Sequence, residues 1–267
     1  MKAVLTLIIA AAVAPGALMI TDYCVVVAHR GASRDAPENT IPAFELAWEQ
    51  GADAVEADFR QAACGSIVCI HDATTGRCWD GDLEVSATGL DALQGLKPPE
   101  NWHAQYPDVT IPTLADVLAV VPPGKKIYIE IKTDESIVPQ ILADVSSSAL
   151  YYRQVVFISF STAALRAVEQ TEPATKTLWL CWLESGRNGQ ANPSLSSVLG
   201  TLHEIGADGV STNSAATDRA FVAGVTAAGY EHHVWTVNDV ATATQFIEWG
   251  STSVTSDYPD ILDSMRD

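Results

Sequence analysis

The hydrophobic pattern of this 267-residue chain switches repeatedly between a period of two and a period near 3.6. The extended runs are "YCVVVAH", "DAVEADF", "KKIYIEIK", "QVVFISF", "KTLWLCWL", "ADGVST", "EHHVWTVN" and "STSVTSD", and each predicts a strand. Between them stand runs with helical spacing: "IPAFELAWEQ", "PTLADVLAVV", "SIVPQILADVSSSAL", "STAALRAVEQ", "SLSSVLGTLHEIG", "TDRAFVAGVTAAG" and "DVATATQFIEWG". "YPDILDSMRD" closes the chain. Start signals sit where they should: Pro42, Pro112 with Thr113, Ser161 or Thr162, and Asp239. Pro139 predicts an irregular first turn in its helix. Eight strands alternating with about eight helices is the pattern of an α/β chain closed into a (β/α)8 TIM barrel. One more extended run, "SIVCIHD", follows the second strand after a turn near Gly65. Residues 73–109 are too long and irregular for a plain barrel loop, and they read as a small insertion.

The length suits one such barrel, and the 48% hydrophobic content can fill its core. The N-terminus stands apart. Lys2 precedes "AVLTLIIAAAVA", an apolar run of signal-peptide length, too short to span a bilayer comfortably. Residues 1–20 are therefore expected to be a signal peptide, cut between Ala12 and Ile20, with 21–267 as the barrel domain. A buried first element is the competing reading. Cleavage implies a secreted or periplasmic protein with no stable membrane insertion. The net charge of −18 and pI near 4.5 disfavour nucleic acid and anionic membrane surfaces as partners. They leave room for an anionic small molecule wherever a bound cation reverses the local field. Of the five cysteines, Cys64 is expected to pair with Cys78 or else with Cys69 in an oxidising compartment.

The chemistry collects at the strand ends, where barrels keep their sites. In "DAVEADFRQ", Glu56 and Asp58 share one face of the second strand. Neighbouring carboxylates repel and are costly to bury, and a hard divalent cation relieves both costs. The third strand adds Glu130. Glu56, Asp58 and Glu130 are thus candidate ligands of one Ca2+ or Mg2+ ion. Lys132 lies on the face of Glu130 and can pair with a carboxylate or hold a phosphate oxygen. Arg30 offers a planar fork that fits a phosphate. His29 and His71 end extended runs on the same mouth. Two imidazoles beside one metal suggest general acid–base catalysis on a phosphodiester. Asp72 can orient His71 or cap the turn that follows. Trp79, Trp102 and Trp182 can line an alcohol cleft or fill core. His203 reads as helix surface, and His232 and His233 as residues far from the mouth.

From Val25 onward the chain resembles the glycerophosphodiester phosphodiesterase family. The resemblance rests on "AHRGASRDAPENT", "GADAVEADFR", "VCIHD", "IPTLADVL", "IEIK", "WTVN" and "SDYPD", in that order. It implies a (β/α)8 barrel with a small insertion after the second strand, and metal-dependent cleavage of a glycerophosphodiester to glycerol 3-phosphate and an alcohol. A cyclic phosphate formed by a glycerol hydroxyl is often proposed there. It also implies His29 and His71 as the catalytic pair, and Glu56, Asp58 and Glu130 as ligands. Arg30 and Lys132 would bind phosphate, and Trp235 would stand near the substrate. Two departures stand out. Cys64-Gly65 replaces the usual Asp-Gly turn, and the tryptophan-rich fifth strand suggests a more apolar substrate. Phospholipases D acting on lysophospholipids or sphingolipids, and a non-catalytic phosphodiester-binding protein, are the alternatives.

Overall fold

The computed structural model describes residues 24–186 and 191–263. The expected signal peptide lies outside the described residues. Eight parallel strands close into a barrel: β1 (Val25–His29), β2 (Ala54–Gln61), β3 (Lys126–Ile131), β4 (Val155–Ser159), β5 (Lys176–Cys181), β6 (Gly209–Asn213), β7 (Glu231–Trp235) and β8 (Ser253–Ser256). Pairing of β1 with both β2 and β8 completes the ring.

A helix follows each strand: α1 (Ile41–Glu49), α2 (Leu114–Ala119), α3 (Val138–Ser147), α4 (Thr162–Thr171), α5 (Leu195–Ile205), α6 (Arg219–Ala227), α7 (Val240–Trp249) and α8 (Pro259–Asp263). Their starts follow local chemistry. Thr113 and Asp116 form a reciprocal capping box on α2, and Ser161 and Asp239 cap α4 and α7. The irregular turn anticipated at Pro139 is a 3-10 segment, Glu135–Ile137, leading into α3.

The strands bury both faces. Outward residues such as Val55, Phe59, Ile129 and Phe157 pack under the helices. Inward residues Val27, Ala54, Tyr128, Val156, Ile158, Leu178 and Leu180 fill the barrel. Each large side chain so buried contributes about 1.5–3 kcal/mol. That double burial changes the meaning of the alternation in β2. Its acidic face is not wet: Glu56 is 3% exposed and Asp58 0%.

"SIVCIHD" is not a barrel strand. Ile67–Cys69 folds back antiparallel on β2, turning at Gly65 with φ +90°. Residues 73–111 follow as a separate small lobe. Its own core joins Trp79, Val85, Leu93, Val109 and Ile111 to Ala62, Val68 and Ile70. Trp79 is therefore core. The cysteine expectations fail: Cys64, Cys69 and Cys78 are free thiols. Cys69 points into the buried interior, where its Sγ meets Asn39 Oδ1 at 3.3 Å, while Cys64 is exposed on the turn. Cys64 stands on the turn before the returning strand, Cys69 inside that strand and Cys78 beyond it in the lobe, a separation that closeness in sequence does not reveal.

His232 and His233 lie in the interior of β7, away from the mouth. His232 bonds Thr212 and Ser251, and His233 bonds Ser253 and Glu231.

Candidate active site

Strand register brings the acidic groups together. His29 on β1 stands opposite Glu56 on β2, and Asp58 stands opposite Glu130 on β3. One ligand atom from each of Glu56, Asp58 and Glu130 lies within 4.8 Å of the others. Glu56 Oε1 is buried with no hydrogen-bond partner among the described residues. A buried carboxylate oxygen left in this state carries a large desolvation cost, which a cation would remove. The donor set is all oxygen, and it can hold a hard metal ion.

Electrostatics separate the three acids. Burial, with the Asp58 and Glu130 charges beside it, pushes Glu56 well above the usual carboxylate range. Burial and Asp58 push Glu130 up to about 7. Asp58 is equally buried, yet Lys132 and Arg30 overcome the burial and hold it well below its usual value. Lys132 Nζ lies 2.7 Å from Glu130 Oε1 and 3.4 Å from Asp58 Oδ1. Arg30 Nε lies 3.2 Å from Asp58 Oδ2. Both basic groups therefore sit against the acids, and they line the same cavity as Glu56 and Glu130.

Each histidine has a carboxylate behind it. His29 Nδ1 is 2.7 Å from Asp257 Oδ1, and Asn238 Nδ2 donates to Asp257 Oδ2 at 2.8 Å. His71 Nδ1 is 2.6 Å from Asp72 Oδ1. A carboxylate acceptor fixes the proton on Nδ1 and leaves Nε2 as the working nitrogen. Arg60 Nε donates to the His71 carbonyl at 2.8 Å and so anchors the ring's backbone. Burial lowers the His71 pKa against the pull of the Asp58 charge.

The loop after β1 is bent for this purpose. Arg30 and Asn39 both hold φ +58°, outside the ordinary range of L residues. Such positions cost roughly 1–3 kcal/mol each and need surrounding contacts to hold them. The contacts are visible. Arg30 N donates to Glu56 Oε2 at 2.9 Å. Asn39 Nδ2 donates to Asp58 Oδ2 at 2.7 Å, while Asp58 N donates to Asn39 Oδ1 at 3.2 Å. Gly31 is needed between them, because a Cβ there would stand 2.6 Å from the Ala43 carbonyl carbon.

His29, Arg30, Glu56, His71, Glu130 and Lys132 line one cavity of about 220 Å³. Its other wall is aromatic: Phe160, Trp182 and Trp235. Trp235 packs on Phe160 at 5.8 Å and on Trp182 at 5.6 Å between ring centroids. Trp182 is 56% and Phe160 48% exposed, so apolar surface faces solvent at the rim. A polar cavity of about 360 Å³, lined by Ser33, Arg34, Glu38, Asn238 and Tyr258, opens on the other side of His29 and Arg30. A larger cavity, about 720 Å³, lies between the 73–111 lobe and helices α1 and α2 and holds no histidine or basic group. Its size does not make it a catalytic site.

The eight residues expected to act as acid–base, phosphate, metal or substrate-side groups border the mouth: His29, Arg30, Glu56, His71, Glu130, Lys132 and Trp235 line the 220 Å³ cavity, and Asp58 lies buried beside them. Sequence reasoning missed Glu38, Asn39, Arg60, Asp257 as the His29 partner, and Phe160. Phe160 directly follows β4, a position that could have flagged it. Glu38 and Asn39 lie in the "PENT" of the stretch that carries the family resemblance, a signal that could have flagged them, although loop composition alone does not say where they fold.

Fold and mouth together define an enzyme of the barrel phosphodiesterase class. A sequence model described as the glycerophosphoryl diester phosphodiesterase family matches residues 29–261, and the chain belongs to that family. A glycerophosphodiester phosphodiesterase of Bacillus subtilis (strain 168) is 29% identical over 273 residues, spanning 96% of this chain and 90% of the relative. One from Caldanaerobacter subterraneus subsp. tengcongensis is 34% identical over 167 residues, spanning 60% of this chain and 68% of the relative. Among solved structures, an Oleispira antarctica phosphodiesterase in complex with the product sn-glycerol-3-phosphate superposes with TM-score 0.83 at 28% identity. It covers 91% of this chain and 96% of that one. An Agrobacterium tumefaciens glycerophosphodiester phosphodiesterase, at TM-score 0.74 and 23% identity over 91% of this chain and 100% of that one, shares the fold.

Proposed function

We propose that the protein hydrolyses glycerophosphodiesters to glycerol 3-phosphate and an alcohol, with His29 and His71 as its acid–base pair. The observation that carries this reading is the pairing of each histidine with its own carboxylate, in one cavity with a buried cluster of three acids. One imidazole Nε2 takes the proton of the attacking glycerol hydroxyl and the other protonates the leaving alcohol oxygen; with roles reversed the pair then adds water across the cyclic phosphate to give glycerol 3-phosphate. Arg30 and Lys132 bind the non-bridging phosphate oxygens, balancing a chain of net charge −18. Glu56, Asp58 and Glu130 hold one divalent cation, Ca2+ or Mg2+, which when bound supplies Lewis-acid stabilisation of charge on the phosphoryl group. Trp235 borders the alcohol side.

The exposed rings of Trp182 and Phe160 favour a second reading, a phospholipase D action on lysophospholipids or sphingolipids. A metal-titrated assay separates the two. Glycerophosphocholine and a lysophospholipid are offered at equal concentration, and phosphorus-containing products are identified. Release of glycerol 3-phosphate from glycerophosphocholine is expected. Cleavage of the acylated molecule alone would shift the substrate to the second reading. Binding without turnover in saturating calcium or magnesium would leave a phosphodiester-binding protein. We further place the mature protein outside the cytoplasm, on the strength of the apolar leader. N-terminal sequencing of the exported chain should begin between residues 13 and 21.

A further inference from the structure

A chain of charged groups runs through the site and passes out of the barrel. Arg30 Nη1 is 3.0 Å from Glu38 Oε1. Arg77 closes on the other side of that carboxylate with both terminal nitrogens, Nη1 to Oε2 at 2.7 Å and Nη2 to Oε1 at 2.8 Å. The third nitrogen of the fork, Arg77 Nε, pairs with Asp72 Oδ2. Asp72 Oδ1 holds His71 Nδ1 at 2.6 Å. One guanidinium thus joins the carboxylate that orients an imidazole to the carboxylate that holds the phosphate-facing arginine. Among the described residues, the Asp72 carboxylate bonds only His71 and Arg77, and the Glu38 carboxylate only Arg30 and Arg77.

Arg77 does not belong to the barrel. It sits in the 73–111 lobe, two residues before Trp79, which is 7% exposed in that lobe's core. Its own side chain is 46% exposed. An exposed ion pair adds little to stability, so a purely structural role is a weak account of this residue. The geometry says something else. A planar fork that uses all three nitrogens on two carboxylates fixes their separation and their tilt, which a point charge such as lysine would not do.

We propose that Arg77 is a positioning residue: the lobe uses it to set Asp72 and Glu38, and through them the His71 ring and the Arg30 fork, in one arrangement. The proposal rests on the phosphodiesterase reading for its kinetic consequence. Its structural consequence stands alone. Without Arg77, Asp72 keeps only His71 as a partner among the described residues, and it is free to turn towards solvent and release His71 Nδ1.

The test is a double-mutant cycle on the full metal-loaded chain, Arg77→Gln against Asp72→Asn, with kcat and KM measured for glycerophosphocholine. Arg77→Gln should lower kcat/KM on the order of 10- to 100-fold, with the melting temperature unchanged. Asp72→Asn should lose a similar factor, and the double variant should lose no more than the worse single one. Wild-type rates in Arg77→Gln, or losses that multiply, would overturn the proposal. The second arm needs no turnover. Nitrogen-15 resonances of the His71 ring should report one tautomer, with the proton on Nδ1, in the wild type and a mixture in Arg77→Gln. Identical His71 spectra in the two proteins would overturn the proposal even if rates differed. A wild-type chain that cuts no glycerophosphodiester would remove the functional reading, while the spectra would still decide the role of Arg77.

Discussion

At the scale of single residues, each imidazole of the candidate pair has one carboxylate partner, Asp257 for His29 and Asp72 for His71, while Asp58 answers to Lys132, Arg30 and Asn39 together. His29→Ala and His71→Ala should therefore each lower turnover roughly 10²- to 10⁴-fold while circular dichroism and melting stay as in the wild type. Normal turnover in both variants would remove the acid–base assignment. A different histidine governs stability. His232 is fully buried between Thr212 and Ser251, and burial lowers its pKa from 6.5 to about 3. Its folded value is depressed, so the stabilisation is complete above pH 6.5 and is lost as pH falls from there towards 3. Denaturant midpoints between pH 7 and pH 4 should fall for the wild type and fall less steeply for His232→Gln. Parallel slopes would show that His232 ionises alike in both states.

At the scale of elements, the loops that follow the strands divide the work. The loop after β1 supplies the bent backbone at Arg30, Gly31 and Asn39 that faces the acids. The segments after β4 and β5 supply Phe160 and Trp182, which pack on Trp235 from β7. Trp182 and Phe160 are half exposed, and under the proposed function the three rings would line the alcohol side. Trp182→Ala should raise KM for diesters with apolar alcohols by roughly 10-fold, in keeping with the loss of one aromatic contact, and change KM for small polar alcohols little. An equal rise for both would assign Trp182 to general packing at the rim.

At the scale of the molecule, the three carboxylates concentrate unfavourable charge at the barrel mouth, where a bound ion would relieve it. The folded chain should therefore be stabilised by the cation it binds. Calcium or magnesium at a hundredfold excess over its Kd should raise the melting temperature by roughly 5–10 °C. Glu56→Gln should abolish the rise and Asp144→Asn, on the surface of α3, should leave it. A rise that survives Glu56→Gln would place the ion elsewhere. Among the described residues no helix is long and apolar enough to cross a membrane.

The barrel was legible in the chain because its grammar is local. Strand and helix periods alternate, and caps such as Thr113, Ser161 and Asp239 act within three or four residues of themselves. The acidic face of β2 was legible for the same reason, since alternation alone puts Glu56 and Asp58 together. Two things required the folded molecule. Burial on both faces of β2 put Glu56 and Asp58 into a dry cluster with Glu130 that could hold a cation, and that follows from closing the ring, a contact between β1 and β8 more than two hundred residues apart. The partners of the histidines and arginines came from afar as well. Asp257 reaches His29 across 228 positions, and Arg77 reaches Glu38 across 39. No period in a sequence encodes a meeting between separate loops; only packing brings them within hydrogen-bond reach.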